Sequence, residues 1–359
     1  MESVAHTIDA HLSTLKGRNL SLEVAFYGGS FTGIPMESQN KYLELAYSYK
    51  QSGLIDKIHM STRPDYITVE ILDNLKKFDV DTIELGVQSF DDDVLSACKR
   101  GHTKGDIYAA CNLIKEYGFE LGIQLMVGLP GDNKLKALSS AKETAKIKPS
   151  LARLYPTVVL PETELAYMLK QHLYTPLRED EAVDITKEMY KILMTARIKI
   201  MRVGLKSTDL ITPDTDLGSG YHPAFRQLVE GEIAKEQMLA LLKDRISNTS
   251  KTDDVLITFL ANEKWFNSMV GHKACNKKFF ENPINFSSDF NYLNSNKKYH
   301  ISYEINESLP RIKYIFLILL FITTLISAYP FLRVKDPDLK VLEKDLARFK
   351  TDELRVGII

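Results

Sequence analysis

Between residues 20 and about 160 the sequence alternates short β-branched or apolar runs with helical periodicity, and each run closes on a polar or glycine-rich turn. Such a rhythm builds successive βα units. The predicted strands are LEVAFYG (22–28), KIHMSTR (57–63), TIELGVQ (82–88), LGIQLMV (121–127) and ARLYPTVVL (152–160). Each is too apolar to leave one face to water, which points to a parallel sheet covered on both sides. Helices fall between them. One carries Thr68, Ile71, Leu72 and Leu75; another carries Ile107, Cys111 and Ile114, opened by Thr103 with Asp106 three residues on and stopped at Gly118. Cys111 is thereby expected on a buried helix face as a small core hydrophobe, and Cys98 reads the same way.

The first element is a helix, with Val4, Ile8, Leu12 and Leu15 on one face and Gly17 closing it. A helix that leads into a parallel strand normally follows another strand, so a first strand is expected to be missing from the pattern. The edge of LEVAFYG should then lack a partner and invite self-association. After about residue 178 the rhythm gives way to a long amphipathic helix (Ala182, Ile185, Met189, Ile192, Ala196) and a strand-like IKIMRVGL (198–205). LGSGYHPAF (217–225) reads as a loop, and the more polar 244–310 holds β-like pieces, DVLITFL and YHISYEI, between Asn, Ser and Lys turns. The expected division is 1–178, 179–310 and 311–359.

A chain of 359 residues, 44% hydrophobic and 26% charged, is an ordinary globular mixture. Its formal net charge of −1 supplies no global attraction for nucleic acid, and Lys273, Lys277 and Lys278 read as a solvated face. Three widely spaced cysteines, Cys98, Cys111 and Cys275, suggest neither a disulfide framework nor a metal set, and favour a reducing, cytoplasmic compartment. No signal peptide opens the chain. The uncharged run YIFLILLFITTLISAYPFL (314–332), between Lys313 and Arg333, is long enough to cross a bilayer. A transmembrane helix is expected there, with a buried hairpin or an altered C-terminus as alternatives.

Ligands of parallel βα folds gather at the carboxyl ends of the strands. Those ends carry Gly28, Gly29, Ser30 and Thr32; Ser61, Arg63 and Asp65; Glu84, Gln88 and Ser89; Gln124 and Gly128; Tyr155 and Thr157. One rim is thus rich in donors and acceptors. No GxxxxGK[ST] or GxGxxG loop is present to cradle phosphates, and HExxH and GxSxG are absent, so no support exists for a common nucleotide site, zinc hydrolysis or serine-esterase chemistry.

In order, FYGGSFTGIP, STRPDYI, ELGVQSFDDDVL, KRGHT, QLMVGLPGD and RLYPTVVLPETEL resemble the radical S-adenosylmethionine enzymes, nearest the group of the Elongator catalytic subunit and its shorter bacterial relatives. The resemblance covers roughly residues 20–230. It implies an α/β fold, a partial (β/α)6 barrel here lacking its first strand, followed by an α+β extension. It also implies an S-adenosylmethionine site: Gly28, Gly29 and Ser30 receiving the amino group with Thr32 beside them, Gln88 and Arg100 the carboxylate, Ser61 the ribose, Val127 and Gly128 the adenine, and Tyr155 the sixth-strand edge. A guanidinium fork suits a carboxylate. The family's 4Fe-4S iron–sulfur cluster needs three cysteine thiolates; no CxxxCxxC occurs here, so its ligands are absent.

A radical enzyme truncated at its N-terminus is the favoured reading. A non-radical S-adenosylmethionine binder and a membrane-tethered scaffold using 314–332 are the alternatives. RNA is a partner by resemblance only, and no acetyltransferase domain is found. Tyr221, His222 and His272 are weaker candidates for a substrate mouth.

Overall fold

Each predicted βα unit from residue 20 onward folds as such. The computed structural model describes residues 2–15, 17, 20–27, 30–207, 211–212, 216, 218, 221–246, 254–281, 299–305 and 318–325. The chain divides into two units, 1–226 and 227–359.

The first unit is a six-stranded, all-parallel sheet in sequential order, β1 (Glu23–Phe26), β2 (Lys57–Thr62), β3 (Thr82–Gln88), β4 (Glu120–Val127), β5 (Leu151–Pro156) and β6 (Lys199–Val203). Between and around the strands run α1 (Glu2–Leu15), α2 (Met36–Gln51), α3 (Val69–Lys77), α4 (Asp92–Ala97), α5 (Lys104–Glu116), α6 (Lys134–Ile147), α7 (Glu164–Lys170) and α8 (Glu179–Thr195). Polar caps fix the helix starts: Thr68, Asp91, Thr103 and Asn133 each accept a backbone N–H from the first turn. Thr103 and Asp106 form the reciprocal capping box expected from their spacing.

The strands differ from the sequence expectation in one respect. Their two faces are not alike. Ile58, Met60, Ile83, Leu85, Leu121, Ile123 and Leu154 are buried on one face, where the helices pack. The other face alternates Glu23, His59, Ser61, Glu84, Gln88, Gln124, Arg153 and Tyr155. It is polar yet largely buried, because the sheet curls around it: Arg153 of β5 donates to the hydroxyl of Tyr27, directly after β1, and its guanidinium lies 4.5 Å over that ring. Strands four places apart meet across the concave face only in a barrel-like curve. This is a partial, open α/β barrel.

Among the described residues β1 pairs on one side only, with β2. α1 buries none of its residues, although its apolar stripe is as the sequence predicts.

The second unit begins two residues into α9 (Phe225–Ile246) and contains β7 (Asp254–Ala261), α10 (Glu263–Val270), α11 (Cys275–Glu281), β8 (Tyr299–Ile305) and β9 (Ile318–Leu325). Its sheet has the order β8-β7-β9, with β8 parallel and β9 antiparallel to β7. Phe259 stacks toward Phe280 and Tyr303 at 5.2 and 5.8 Å. The transmembrane helix expected over 314–332 is corrected here: Ile318–Leu325 of that run is a strand whose eight residues pair in register with β7. Its Ile, Leu, Phe and Thr suit a buried strand as well as a lipid-facing helix, and sheet pairing decides between them. Among the described residues no helix is long and apolar enough to cross a membrane.

Candidate functional site

A cavity of about 540 Å³ opens at the carboxyl ends of the strands of the first unit, a volume suited to a small-molecule ligand. Of the residues singled out in the sequence, Ser30, Ser61, Gln88, Arg100 and Tyr155 line it together. Gly28 and Gly29 lie outside the described residues.

Others of that set are placed elsewhere. Thr32 is buried, its hydroxyl 2.6 Å from that of Thr62 and donating to the Tyr66 carbonyl, so it ties two loops together. Val127 is buried with its carbonyl taken by Thr157. Gly128 turns the chain at φ +77°, its N–H on Asp132 and its carbonyl on Tyr174. None of the three lines the cavity. Tyr221 and His222 make local bonds in the first unit, to Ser207 and to the N–H of Ala224, while His272 bonds Gln227 in the second.

Arg100 comes from the turn after α4. One guanidinium nitrogen donates to the carbonyl of Gly86 at 3.1 Å, while Nε is buried without a partner. No carboxylate pairs with it among the described residues. Burial, and then the nearby Arg63 charge, pull its pKa below the ordinary value; a guanidinium so displaced still carries its charge at neutral pH. A half-buried cation with no carboxylate beside it and a buried Nε left unbonded is costly, and an anionic ligand is the partner its chemistry asks for.

Gln88 stands beside it at the end of β3 in a left-handed conformation, φ +67°, where the pairing with β4 shifts register. Glutamine adopts that conformation at a cost, and such strain collects at binding sites. Gln124 donates its amide to Gln88 Oε1 at 3.2 Å, which leaves the Gln88 amide N–H groups for the cavity.

Beneath this rim lies a charge network that sequence reasoning missed except for Glu84. Arg153 Nε is 2.7 Å from Glu84 Oε2, and Arg153 also donates to Tyr155 and Tyr27. His59 sits between Glu23 and Glu84 at 3.5 and 3.7 Å. Burial holds the Glu84 carboxyl above its usual pKa, against the pull of Arg153 and His59. The signal was the period-2 placement of His59, Glu84 and Arg153, each two residues before a position that lines the cavity, Ser61, Gly86 and Tyr155. Arg202, at the end of β6, adds an exposed cation to the lining.

The cysteines do not fit an iron–sulfur cluster. Cys111 is buried in α5 with its thiol pushed up to about 12, and burial raises Cys98 to about 11, so neither is a ready thiolate. Cys275 lies in the other unit. Among the described residues no three His, Cys, Asp or Glu side chains are grouped to hold a metal ion.

Two family profiles match in tandem, described as Radical SAM superfamily over residues 7–142 and Radical_SAM C-terminal domain over 149–235. Over 202 residues the chain is 30% identical to the tRNA uridine(34) acetyltransferase of Methanocaldococcus jannaschii, covering 50% of this chain and 37% of that one. It is 25% identical over 192 residues to human Elongator complex protein 3, covering 48% and 35%. The chain therefore matches little more than a third of each relative's length. Among solved structures, the archaeal Methanocaldococcus infernus Elp3 with an N-terminal deletion superposes at a TM-score of 0.56 and 23% identity, covering 64% of this chain and 58% of that one, a likeness of fold. With both profiles laid end to end along the curled sheet and its helices, the chain belongs to the radical S-adenosylmethionine superfamily, and it is similar to Elongator-like relatives.

Proposed function

We propose that the rim cavity of the first unit holds S-adenosylmethionine. Its carboxylate would lie on Arg100 and the free amide of Gln88, its amino group at the turn that includes Gly28, Gly29 and Ser30, its ribose at Ser61 and its adenine toward Tyr155. Thr32, Val127 and Gly128 then serve as the framework of that cradle. The observation that carries the reading is Arg100: a half-buried guanidinium whose buried Nε has no partner, in a cavity of ligand size, next to a strained Gln88.

S-adenosylmethionine supplies a sulfonium whose substituents are activated toward transfer or cleavage. The residues of the chain bind and orient it. Arg100 would neutralise its carboxylate and the Gln88 amide would donate to it, Gln124 fixes which end of the Gln88 amide faces inward, and the Glu84–Arg153 pair keeps the floor of the cavity near neutral. The described cysteines do not fit a cluster.

An RNA substrate is part of the proposal, supported by the relatives named for transfer RNA and by the exposed Arg202 at the cavity mouth. Isothermal titration of the full chain with S-adenosylmethionine tests the site. We expect saturable heat, and a loss in affinity of about tenfold or more in Arg100→Met, as for a hydrogen bond to a charged group. No heat from the wild type at millimolar ligand would sink the reading.

A further inference from the structure

Three loops that line the cavity are tied together by four residues that leave the ligand-facing atoms alone. Gly33 follows the Ser30 turn, whose carbonyl accepts the Gly33 N–H at 3.0 Å. A Cβ on Gly33 would stand 2.9 Å from Cε2 of Tyr66, so only glycine lets this loop lie against that ring. The guanidinium of Arg63 lies over the same ring, 5.0 Å from its centroid. On its far side Arg63 reaches Gly101, where an added Cβ would be 2.7 Å from a guanidinium nitrogen. Gly101 is next to Arg100. The series Gly33, Tyr66, Arg63, Gly101 thus joins the turn after β1 to the turn that presents Arg100, through the loop after β2.

Arg63 is not free to serve the ligand. Asp65 holds it in a bidentate pair at 2.9 and 2.6 Å, the geometry in which a guanidinium fork is most firmly oriented. His102, the residue after Gly101, is buried, with Nε2 3.3 Å from the carbonyl of Val87 and Nδ1 3.8 Å from Asp65. The turn that carries Arg100 is thereby fixed to β3 as well as to Arg63. An arginine that lines the cavity and looks like a second anion ligand is committed to neighbouring protein groups.

We propose that Tyr66 and Arg63 are positioning residues that set the separation between the Ser30 turn and Arg100, and so make the cavity selective for ligands ending in an α-amino acid group. This rests on the site reading above. An ammonium and a carboxylate on one carbon have a fixed spacing, and hydrogen bonds to both weaken steeply when one anchor shifts. The adenosine end does not depend on that spacing.

Titration of the full chain with S-adenosylmethionine and with 5′-methylthioadenosine, which lacks the amino acid group, separates the two ends. Arg63→Lys keeps the charge but loses the planar stack and the fork. We expect it, Tyr66→Leu and Gly33→Ala each to weaken S-adenosylmethionine about tenfold while 5′-methylthioadenosine stays within about twofold. Tyr66→Phe, which keeps the ring, should retain the wild-type ratio. Wild-type binding of S-adenosylmethionine by Arg63→Lys would show that its charge acts directly and overturn the proposal, as would equal losses for both ligands or failure of Tyr66→Phe to retain the ratio. Arg100→Met distinguishes the levels: if it binds S-adenosylmethionine as the wild type does, the site reading itself fails. If it weakens binding and the other variants do not, only the positioning role fails.

Discussion

Arg153 and Glu84 are 8% and 0% exposed, and their ion pair at 2.7 Å neutralises two charges that the curled face could not carry singly. Arg153→Met leaves Glu84 buried without its cation, and we expect a loss of about 3 kcal/mol in unfolding free energy at neutral pH, read from urea transitions. The pH dependence has a definite sign. Glu84 has a raised folded pKa, so its contribution to stability is complete below the unfolded carboxyl value and declines as pH rises through the folded one. The loss in Arg153→Met should accordingly shrink toward acid, where Glu84 takes up a proton; a loss that grows toward acid contradicts this. Cys111, buried and raised to about 12, should resist iodoacetamide in the native chain while exposed Cys275 reacts. Equal labelling of both would contradict the burial. At this scale Gln88 and Ser61 were legible from their positions at strand ends, and Arg100, in the turn after α4, from the family resemblance alone. Arg153 was not legible, because the partner of an inward side chain comes from a strand over 60 residues away, and curvature decides the pairing.

Helix α5 was readable from its ends inward. Thr103→Ala removes the cap on its N-terminus and should cost about 1 kcal/mol. Bonds from the Thr103 hydroxyl and N–H hold Asp106 below the usual carboxylate range. The stability it adds is present above its unfolded pKa and disappears as pH falls through the folded value, so acid unfolding of wild type and variant should converge. Strand β1 presents the opposite case, one edge without a partner among the described residues. Unpaired N–H and C=O groups on a strand edge recruit other strands, and sedimentation should find concentration-dependent self-association; a monomer at all concentrations contradicts it. Hydropathy alone does not separate the two readings of 314–332, because an apolar run serves a lipid-facing helix and a sheet strand alike. Only pairing with β7, eight residues in register, separates them.

Across the molecule, the order of strands and their parallel sense followed from the βα rhythm, since short crossovers leave little topological freedom. What the rhythm could not carry was the difference between the two faces of the sheet. Outward Ile58, Ile83 and Leu121 alternate with inward His59, Glu84 and Gln124, and what the alternation leaves open is that the polar face is curled around a cavity while the apolar one holds the helices. The central claim is that this cavity receives the amino acid end of S-adenosylmethionine. A crystal structure of the full chain with S-adenosylmethionine tests it most directly. We expect the ligand carboxylate within hydrogen-bond distance of the Arg100 guanidinium and the Gln88 amide, with the amino group at the Ser30 turn. A ligand bound elsewhere, or seated in the cavity with Arg100 untouched, would contradict it.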